Sequence, residues 1–416
     1  MFTVMKRLAL MGTLVVGTIG GVGAAGCGSG GGEVKTAKQD PKKKEAKAQV
    51  VEAREAAGHG NYDEADRLYA EASSTASESP KLVFEILVEW VDMLSHAGRA
   101  SRGVSLAKQY NEAHLEDVSG YDLYAGALLD ANKPKEALDI ASQLVALSGE
   151  NPGGHEKRGR ALLLLGQNDD ALDELRKAVQ LAPDNAKYHI TLGDALHDLG
   201  DANKAALELR AALKTAPNDP QAHALLGAAL RDQDEIDEAK QHFDKALELD
   251  PKNGTAYFEL GVLYNRQASQ LTGDKAEKKQ AEAQEALGKA VKYSPNESRY
   301  WYAYGEIYRV QQHIDEALSA YHKAVDVDPP YAKAFAKLGG MYFEKKSYDE
   351  AERWLTQAIR KDDHNAIAYW YLAKVYVATK RPRAAFENID LYLKYAAKED
   401  PNREKARELR EQLKRR

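Results

Sequence analysis

From residue 46 onward, apolar and polar positions alternate with a helical period, and a longer pattern of small residues returns every 34 residues. Three positions of this pattern are occupied by Gly159, Gly193, Gly227 and Gly261, by Ala171, Ala205 and Ala239, and by Pro183, Pro217 and Pro251. Apolar residues three and four apart predict amphipathic helices. A period of this length has room for two of them, so the pattern predicts one helix pair per period.

Counting outward from these residues places ten units on the chain. They are 46–79, 84–117, 118–151, 152–185, 186–219, 220–253, 254–297, 298–331, 332–365 and 366–399. A small residue recurs in each second helix, as Ala65, Gly103, Ala137, Ala171, Ala205, Ala239, Ala283, Ala317, Ala351 and Ala385. Small residues let the two helices of a unit cross closely, while bulky residues such as Leu175 and Phe243 fill the space around the crossing. No unit can bury its apolar stripe alone, so the units are expected to stack.

Two segments depart from the regular period. Unit 254–297 is ten residues longer, with the long insertion at 266–281. Gly273 is predicted to end its first helix and Asp274 to cap its second, so that both helices extend by about one and a half turns. This hairpin is interpreted either as a docking point or as a tolerated surface insertion. Residues 400–416 are predicted to form a capping helix, with Asp400 as N-cap, Pro401 in the first turn and an apolar stripe of Ala406, Leu409 and Leu413.

The period and its glycine, alanine and proline positions resemble the tetratricopeptide repeat family. The resemblance is close over residues 152–399 and weaker over 46–151, where the turn proline and first-helix glycine are missing. It implies an all-α fold, a right-handed superhelix (α-solenoid) of about ten helix-turn-helix repeats with a C-terminal capping helix. In this family the first helices line a concave binding wall through unit positions 2, 5, 9 and 12, called wall positions below.

The beginning of the chain carries a targeting pattern. Residues 1–26 combine Lys6 and Arg7 with an uncharged apolar run and small residues, as a signal peptide does. Residues 24–27, Ala-Ala-Gly-Cys, resemble the lipobox of bacterial lipoproteins, with alanine where that family usually has leucine. The resemblance implies a diacylglyceryl group on Cys27, and Gly28 after it favours the periplasmic side of the outer membrane of a Gram-negative bacterium. An uncleaved anchor and ordinary cleavage are the alternatives.

Composition narrows the class of partner. Residues 27–45 are rich in glycine and lysine without aromatic residues, which predicts a flexible tether, and lipid headgroup contact is the alternative. The net charge of -6 argues against an electrostatic surface for nucleic acid. No metal, cofactor or small-molecule substrate is predicted, because HEKRG at His155 has Gly159 where a zinc hydrolase has its second histidine. No phosphate-binding loop or nucleophile elbow occurs either, so the chain is not expected to be an enzyme.

Aromatic and basic residues accumulate at wall positions toward the C-terminus. These candidate partner-binding residues are Phe258, Arg299, Tyr302, Arg309, Phe343, Trp370 and Lys374. Aromatic residues with arginine are the usual anchors of peptide sites. The alternative is that some of them pack between adjacent units. The lysine and asparagine clamp of the family's chaperone-binding members is absent, since position 6 holds residues such as Lys157, Lys337 and Tyr371.

The expected function is that of a non-catalytic scaffold that binds other envelope proteins through its concave wall and the membrane through its lipid anchor. The chain looks like lipidated tetratricopeptide proteins that assist assembly of type IV pili, secretion pores or gliding motility machinery. An accessory role in peptidoglycan or polysaccharide synthesis or export is the first alternative. A subunit that lends specificity to a separate enzyme is the second.

Overall fold

The computed structural model describes residues 40–327 and 330–414, and these ranges contain 21 α-helices and no strand. The chain divides into two compact units, one ending at Pro217 and one beginning at Asn218. Unit 1 holds α1 Pro41–Gly58, α2 Tyr62–Thr75, α3 Pro80–His96, α4 Ala100–Ala113, α5 Val118–Asp130, α6 Pro134–Leu147, α7 Pro152–Leu164, α8 Asn168–Leu181, α9 Ala186–Asp198 and α10 Ala202–Thr215. Unit 2 holds α11 Pro220–Asp232, α12 Ile236–Leu249, α13 Gly254–Ser269, α14 Asp274–Tyr293, α15 Ser298–Val310, α16 Ile314–Asp326, α17 Ala332–Glu344, α18 Tyr348–Lys361, α19 Ala366–Ala378, α20 Pro382–Tyr395 and α21 Arg403–Lys414. The prediction of an all-helical repeat fold is confirmed.

Each unit is a stack of helical hairpins. The two helices of a hairpin are joined by three residues, except in α13–α14, and the middle residue of that turn has a positive φ. In unit 1 these middle residues are Gly60, Gly98, Asn132, Gly166 and Gly200; in unit 2 they are Asp234, Gln312, Lys346 and Lys380. A left-handed residue lets the chain leave the first helix and reverse at once. Glycine adopts that conformation without a Cβ clash. Asn132 and the four residues of unit 2 carry a Cβ atom and do not avoid the clash.

The small residues of the repeat lie where the helices of a hairpin cross. A Cβ atom on Gly159 would lie 2.6 Å from Cγ of Leu175, and one on Gly227 would lie 2.6 Å from the Phe243 ring. Ala171 is completely buried on the second helix of its hairpin. The close approach predicted from the sequence is therefore present, and the bulky partners fill the space that the glycines leave.

Helix starts agree with the predicted units over most of the chain. The helices α5, α7, α9, α11, α13, α15, α17 and α19 begin at the first residue of a predicted unit. The first two units differ, because α1 begins at Pro41 instead of residue 46 and α3 at Pro80 instead of residue 84. The tether predicted to reach residue 45 is therefore too long: Asp40 caps α1, its carboxylate accepting from the Lys42 amide at 3.0 Å.

The long hairpin differs from its prediction in detail. Helix α13 has 16 residues and α14 has 20, against 13 and 14 in the hairpin α11–α12 before it. The extra length is therefore unequal, and most of it belongs to the second helix. Gly273, with φ 60°, is the N-cap of α14 and not the end of α13. A positive φ at Gly273 turns the backbone into α14 directly, so Asp274 is already helical.

Helix α21 closes unit 2. It begins at Arg403, two residues after the predicted Pro401. The Asp400 carboxylate accepts from the Tyr392 hydroxyl at 2.7 Å and from the Asn402 amide at 2.8 Å. Ala406 is buried against α20, and the two leucines of the predicted stripe, Leu409 and Leu413, pack beside it. The capping role is thus retained with a shifted start.

Among residues 40–327 and 330–414, no helix is both long enough and apolar enough to span a membrane. The predictions for residues 1–39, including the signal peptide and Cys27, lie outside the described residues.

Candidate functional site

The wall positions of three consecutive first helices in unit 2 alternate between large and small residues. Positions 5 and 9 hold Tyr302 and Glu306 in α15, Ala336 and Gly340 in α17, and Trp370 and Lys374 in α19. The small pair in the middle leaves a depression between its larger neighbours. A Cβ atom on Gly340 would already lie 3.1 Å from the Tyr371 ring, so a larger residue there would fill the depression.

A cavity of about 550 Å³ occupies this depression. Ala336 and Gly340 contribute to its lining, together with three of the seven residues predicted from the sequence, namely Arg309, Trp370 and Lys374. Asp400 and Asn402, which precede the capping helix, line it as well. Its size lies in the range of sites that hold a small ligand or a few side chains of a peptide. The structure therefore brings together the C-terminal part of the predicted site.

Helix α19 supplies an apolar surface to this site. Its sequence, AIAYWYLAKVYVA, has apolar residues on all sides, which is typical of a helix buried all round. However, Ile367 is 51% exposed and Val377 is 36% exposed. Trp370, between them on the same helix, is half-buried and packs on Tyr392 with ring centroids 5.3 Å apart. This face of α19 presents apolar area that no described residue covers.

Lys374 lies among aromatic rings in the wall of the cavity. Its ammonium nitrogen is 4.5 Å from the centre of the Phe343 ring, 4.8 Å from that of Tyr371 and 5.9 Å from that of Trp370. No ion pair or hydrogen bond links it to another of the described residues. Burial lowers the pKa of Lys374, because the rings displace water and only partly replace its interactions with the charge. Phe343, another residue predicted for the site, thus contacts the ammonium group of Lys374 through its ring.

Glu306, a wall residue that the sequence analysis missed, pairs with two cations that line the cavity. Its carboxylate accepts from the Tyr321 hydroxyl, from Arg309 Nη2 at 3.1 Å and from Lys337 Nζ at 3.1 Å. Burial acts to raise the pKa of Glu306, but these donors outweigh it and the pKa is lowered. The Nε atom of Arg309 is buried without an acceptor. One carboxylate thus serves two cations, and part of the Arg309 hydrogen-bonding capacity stays unused.

The N-terminal part of the predicted site is packed rather than open. Phe258 is 2% exposed, stacks on Tyr300 at 4.4 Å and has the Arg299 guanidinium 4.9 Å from its ring centre. The prediction that Phe258 lines an open groove is therefore wrong. Tyr302 is half-buried between Tyr321 and Tyr331, and burial raises its pKa. In this region the interpretation as packing between adjacent hairpins describes the side chains better.

Wall positions of unit 1 carry a different group of side chains. Glu156 in α7 is 1% exposed, and Lys157 and Arg160 on the same helix are buried beside it. Lys157 Nζ lies 2.6 Å from Asp122 Oδ1 and 3.4 Å from Glu156, while Arg160 Nη1 lies 3.4 Å from Glu156. Burial acts to raise the pKa of Glu156, but Lys187, Lys157 and Arg160 lower it to about 2. In these side chains, called the ion-pair cluster, both cations pair with Glu156.

One group of possible metal ligands occurs among the described residues. Asp362, Asp363 and His364 follow one another in the turn before α19, with ligand atoms within 4.8 Å. The His364 ring nitrogen Nδ1 already lies 2.6 Å from the Asp363 carboxylate, and both residues are exposed. A solvated acidic turn has these properties too, so the group points to no metal.

Four sequence models described as tetratricopeptide repeat match the chain. One matches residues 162–229 and 311–372, and the others match 220–253, 123–186 and 242–285. Together they cover residues 123–285 and 311–372, which is more than half of the 416 residues. Helix α17 lies inside the matched residues, α19 is matched up to residue 372, and α15 lies outside them. No curated protein has a sequence that matches this chain.

Solved structures resemble the fold at low sequence identity. The human IFIT1 dimer with m7Gppp-AAAA is 19% identical over 89% of this chain and 90% of its own, with a TM-score of 0.58. Yeast Tom70 is 16% identical over 90% of this chain and 96% of its own, with a TM-score of 0.49. YrrB, described as a tetratricopeptide protein with an unusual peptide-binding site, is 24% identical over 45% of this chain and 92% of its own, with a TM-score of 0.33. At these identities the likeness concerns the fold alone.

Proposed function

Because the chain belongs to the tetratricopeptide repeat family, we propose that it is a scaffold that holds a segment of another protein in the unit 2 cavity. Proteins with this fold are generally non-catalytic interaction scaffolds. The partner is a protein of the bacterial envelope, and the scaffold serves the assembly of a type IV pilus, a secretion apparatus or a gliding motility machine. The chain itself carries out no reaction in this proposal.

The observation that carries the proposal is the uncovered apolar face of α19. Exposed Ile367 and half-buried Trp370 border a cavity whose floor is made of Ala336 and Gly340. Aromatic residues at the centre of a concave site contribute most of the binding free energy in many interfaces, because they bury a large area in a shaped pocket. A peptide that crosses the floor would cover this face.

Partner capture by variants of the full-length protein tests the proposal. Trp370→Ala is expected to weaken binding by about 2 kcal/mol or more, roughly thirtyfold in affinity. Trp301→Ala is the matched control: it removes the same side chain from α15, where the Trp301 indole donates to the Pro295 carbonyl and does not line the cavity. The measurement is cross-linking in membranes, followed by mass spectrometry of the captured proteins. Equal capture by the two variants contradicts the proposal, provided that circular dichroism shows both folded.

The location of the scaffold is part of the same proposal. We place it on the periplasmic side of the outer membrane, anchored by lipid on Cys27, and the support is the sequence pattern of residues 1–28. Residues between Cys27 and α1 then connect the anchor to unit 1. Mass spectrometry of the mature N-terminus is the test, and Cys27→Ser should leave an unprocessed or soluble protein. An unmodified Cys27 in the mature chain would refute the anchor and leave the binding proposal untouched.

A further inference from the structure

The charges around the unit 2 cavity are unequally matched. The helices α15, α17 and α19 contribute three cations, Arg309, Lys337 and Lys374. Two of them share the single carboxylate of Glu306. The ammonium group of the third, Lys374, lies over aromatic rings, and the charges that act on it from further away are those of Glu344 and of Lys405 in α21. Two of the three cations thus have an ion pair, and Lys374 has none among the described residues.

Two carboxylates line the cavity, Asp400 and Glu344, but neither forms an ion pair with Lys374. Asp400 already accepts hydrogen bonds from Tyr392 and Asn402. Glu344 is exposed and acts on Lys374 through its charge, yet the two form no ion pair within 4.0 Å. A carboxylate in water interacts only weakly with a cation at this separation. Lys374 is therefore left without a close counterion.

The aromatic surroundings of Lys374 would strengthen its interaction with a carboxylate of a bound partner. Rings of Phe343 and Tyr371 replace part of its water shell and interact with the charge through their faces, and a ring face is not a carboxylate that could pair with the ammonium group. A carboxylate that reached the ammonium group would form a charge-assisted hydrogen bond in a partly dry site.

We propose that the unit 2 cavity selects an extended acidic peptide segment, in which an aspartate or glutamate stands beside a large apolar residue. The apolar residue packs on Trp370 above the floor of Ala336 and Gly340, and the carboxylate binds Lys374. This inference rests on the function proposed above and adds the chemistry of the partner. It commits to a side-chain carboxylate, because the lysine and asparagine clamp with which the family's chaperone-binding members hold a C-terminal carboxylate is absent.

End-blocked peptides bound to the full-length protein in detergent test the selection. The probes are fluorescein-labelled decapeptides in which leucine or phenylalanine stands next to glutamate, with matched peptides that carry glutamine or lysine instead. The glutamate peptides should bind about tenfold more tightly than the glutamine peptides, which corresponds to one charge-assisted contact. This preference should shrink as the salt concentration rises, because the contact is partly exposed. Fluorescence anisotropy gives the affinities.

Variants at Lys374 assign the preference to one side chain. Lys374→Met keeps most of the aliphatic stem and should bind glutamate and glutamine peptides equally, whereas Lys374→Glu should favour the lysine peptides. Lys361→Met, which removes an exposed lysine of α18, is the matched control and should leave the preference intact. Glu344→Gln should strengthen binding of the glutamate peptides, since it removes a competing negative charge near Lys374. Thermal melts establish that each variant is folded.

The outcomes separate this inference from the proposed function. Equal binding of all three peptide sets that is lost in Trp370→Ala overturns the charge selection and supports the peptide site. Binding restricted to peptides with a free C-terminal carboxylate overturns the choice of a side-chain carboxylate. A preference for glutamate that survives in Lys374→Met overturns the role of Lys374. Failure of every peptide to bind overturns both proposals.

Discussion

Helix α7 of unit 1 and helix α17 of unit 2 occupy the same place in the repeat but carry different chemistry at positions 5, 6 and 9. In α7 these positions hold Glu156, Lys157 and Arg160, which are buried and paired with one another. In α17 they hold Ala336, Lys337 and Gly340. The backbone framework is common to both, since each helix begins at the first residue of its predicted unit.

This difference shows that the residues at positions 5, 6 and 9 determine whether the wall of a repeat is filled by side chains or contains a cavity. In α7, charged side chains that pair with one another occupy these positions. In α17, small residues between large neighbours leave a cavity. Around this cavity Lys374 has no ion pair within the described part of the chain, and the Arg309 Nε atom has no hydrogen-bond acceptor there. The ion-pair cluster is therefore expected to matter for stability, and the unit 2 cavity for binding.

The largest expected effect is on the ion-pair cluster. Glu156→Ala would leave Lys157 and Arg160 buried with too few carboxylates, and breaking a buried ion pair in this way costs about 3–5 kcal/mol. The first transition in urea unfolding, followed by circular dichroism, should move to a lower midpoint by a corresponding amount.

Glu64→Ala provides the control for that experiment. Glu64 also pairs with an arginine, Arg67, but both side chains are well exposed to solvent. Exposed pairs contribute little to stability because solvent screens them, so the midpoint should hardly change. If Glu156→Ala is as mild as Glu64→Ala, the ion-pair cluster does not hold unit 1 together and the contrast between the two walls is one of composition only.

A smaller effect is expected from the hairpin turns, which also differ between the units. Gly166 in unit 1 has φ 77° with open space around it, whereas Lys346 in unit 2 has φ 60° and carries a side chain in that conformation. Lys346→Gly should stabilise unit 2 by about 0.5–1 kcal/mol, because the Cβ clash of the left-handed region disappears and part of the gain is offset by glycine entropy. Gly166→Ala should destabilise unit 1 by about 1 kcal/mol for the converse reason.

Urea midpoints measure both turn variants. Lys345→Gly, one position earlier at the end of α17, is the matched control, since Lys345 has an ordinary negative φ of -73°. It should destabilise, as glycine does in a helical conformation. Stabilisation by Lys345→Gly, or destabilisation by Lys346→Gly, would show that the left-handed turn residues of unit 2 carry no strain.

Much of the fold could be predicted because the repeat places small residues at fixed intervals. Gly159 and Gly227 are required wherever two helices cross this closely, and their positions fix the helix pairs around them. The two predicted starts that were wrong, residues 46 and 84, lie where these markers are absent, and the helices begin at Pro41 and Pro80 instead. Each of those helices begins at a proline, which favours the first turn of a helix and could have corrected both boundaries.

The position of the site could be predicted from the sequence, but only some of the residues that line it could. Wall positions identified Arg309, Trp370 and Lys374, which share one cavity. The sequence could not separate these from Phe258, because its burial depends on Tyr300 in the next first helix stacking on it. The floor of the cavity was missed for the opposite reason: Ala336 and Gly340 attract no attention as ligands, although their small size creates the space.

The unequal hairpins also have a mechanical consequence. In a stack of this kind each hairpin packs mainly on its neighbours, so a force on the chain ends would peel hairpins away in sequence. A regular 34-residue hairpin would release roughly 115 Å of extended chain, whereas the 44 residues from 254 to 297 would release roughly 150 Å. The α13–α14 hairpin would therefore appear as a single longer step in an extension trace. The position of this longer step in the trace would show how many hairpins had unfolded before it.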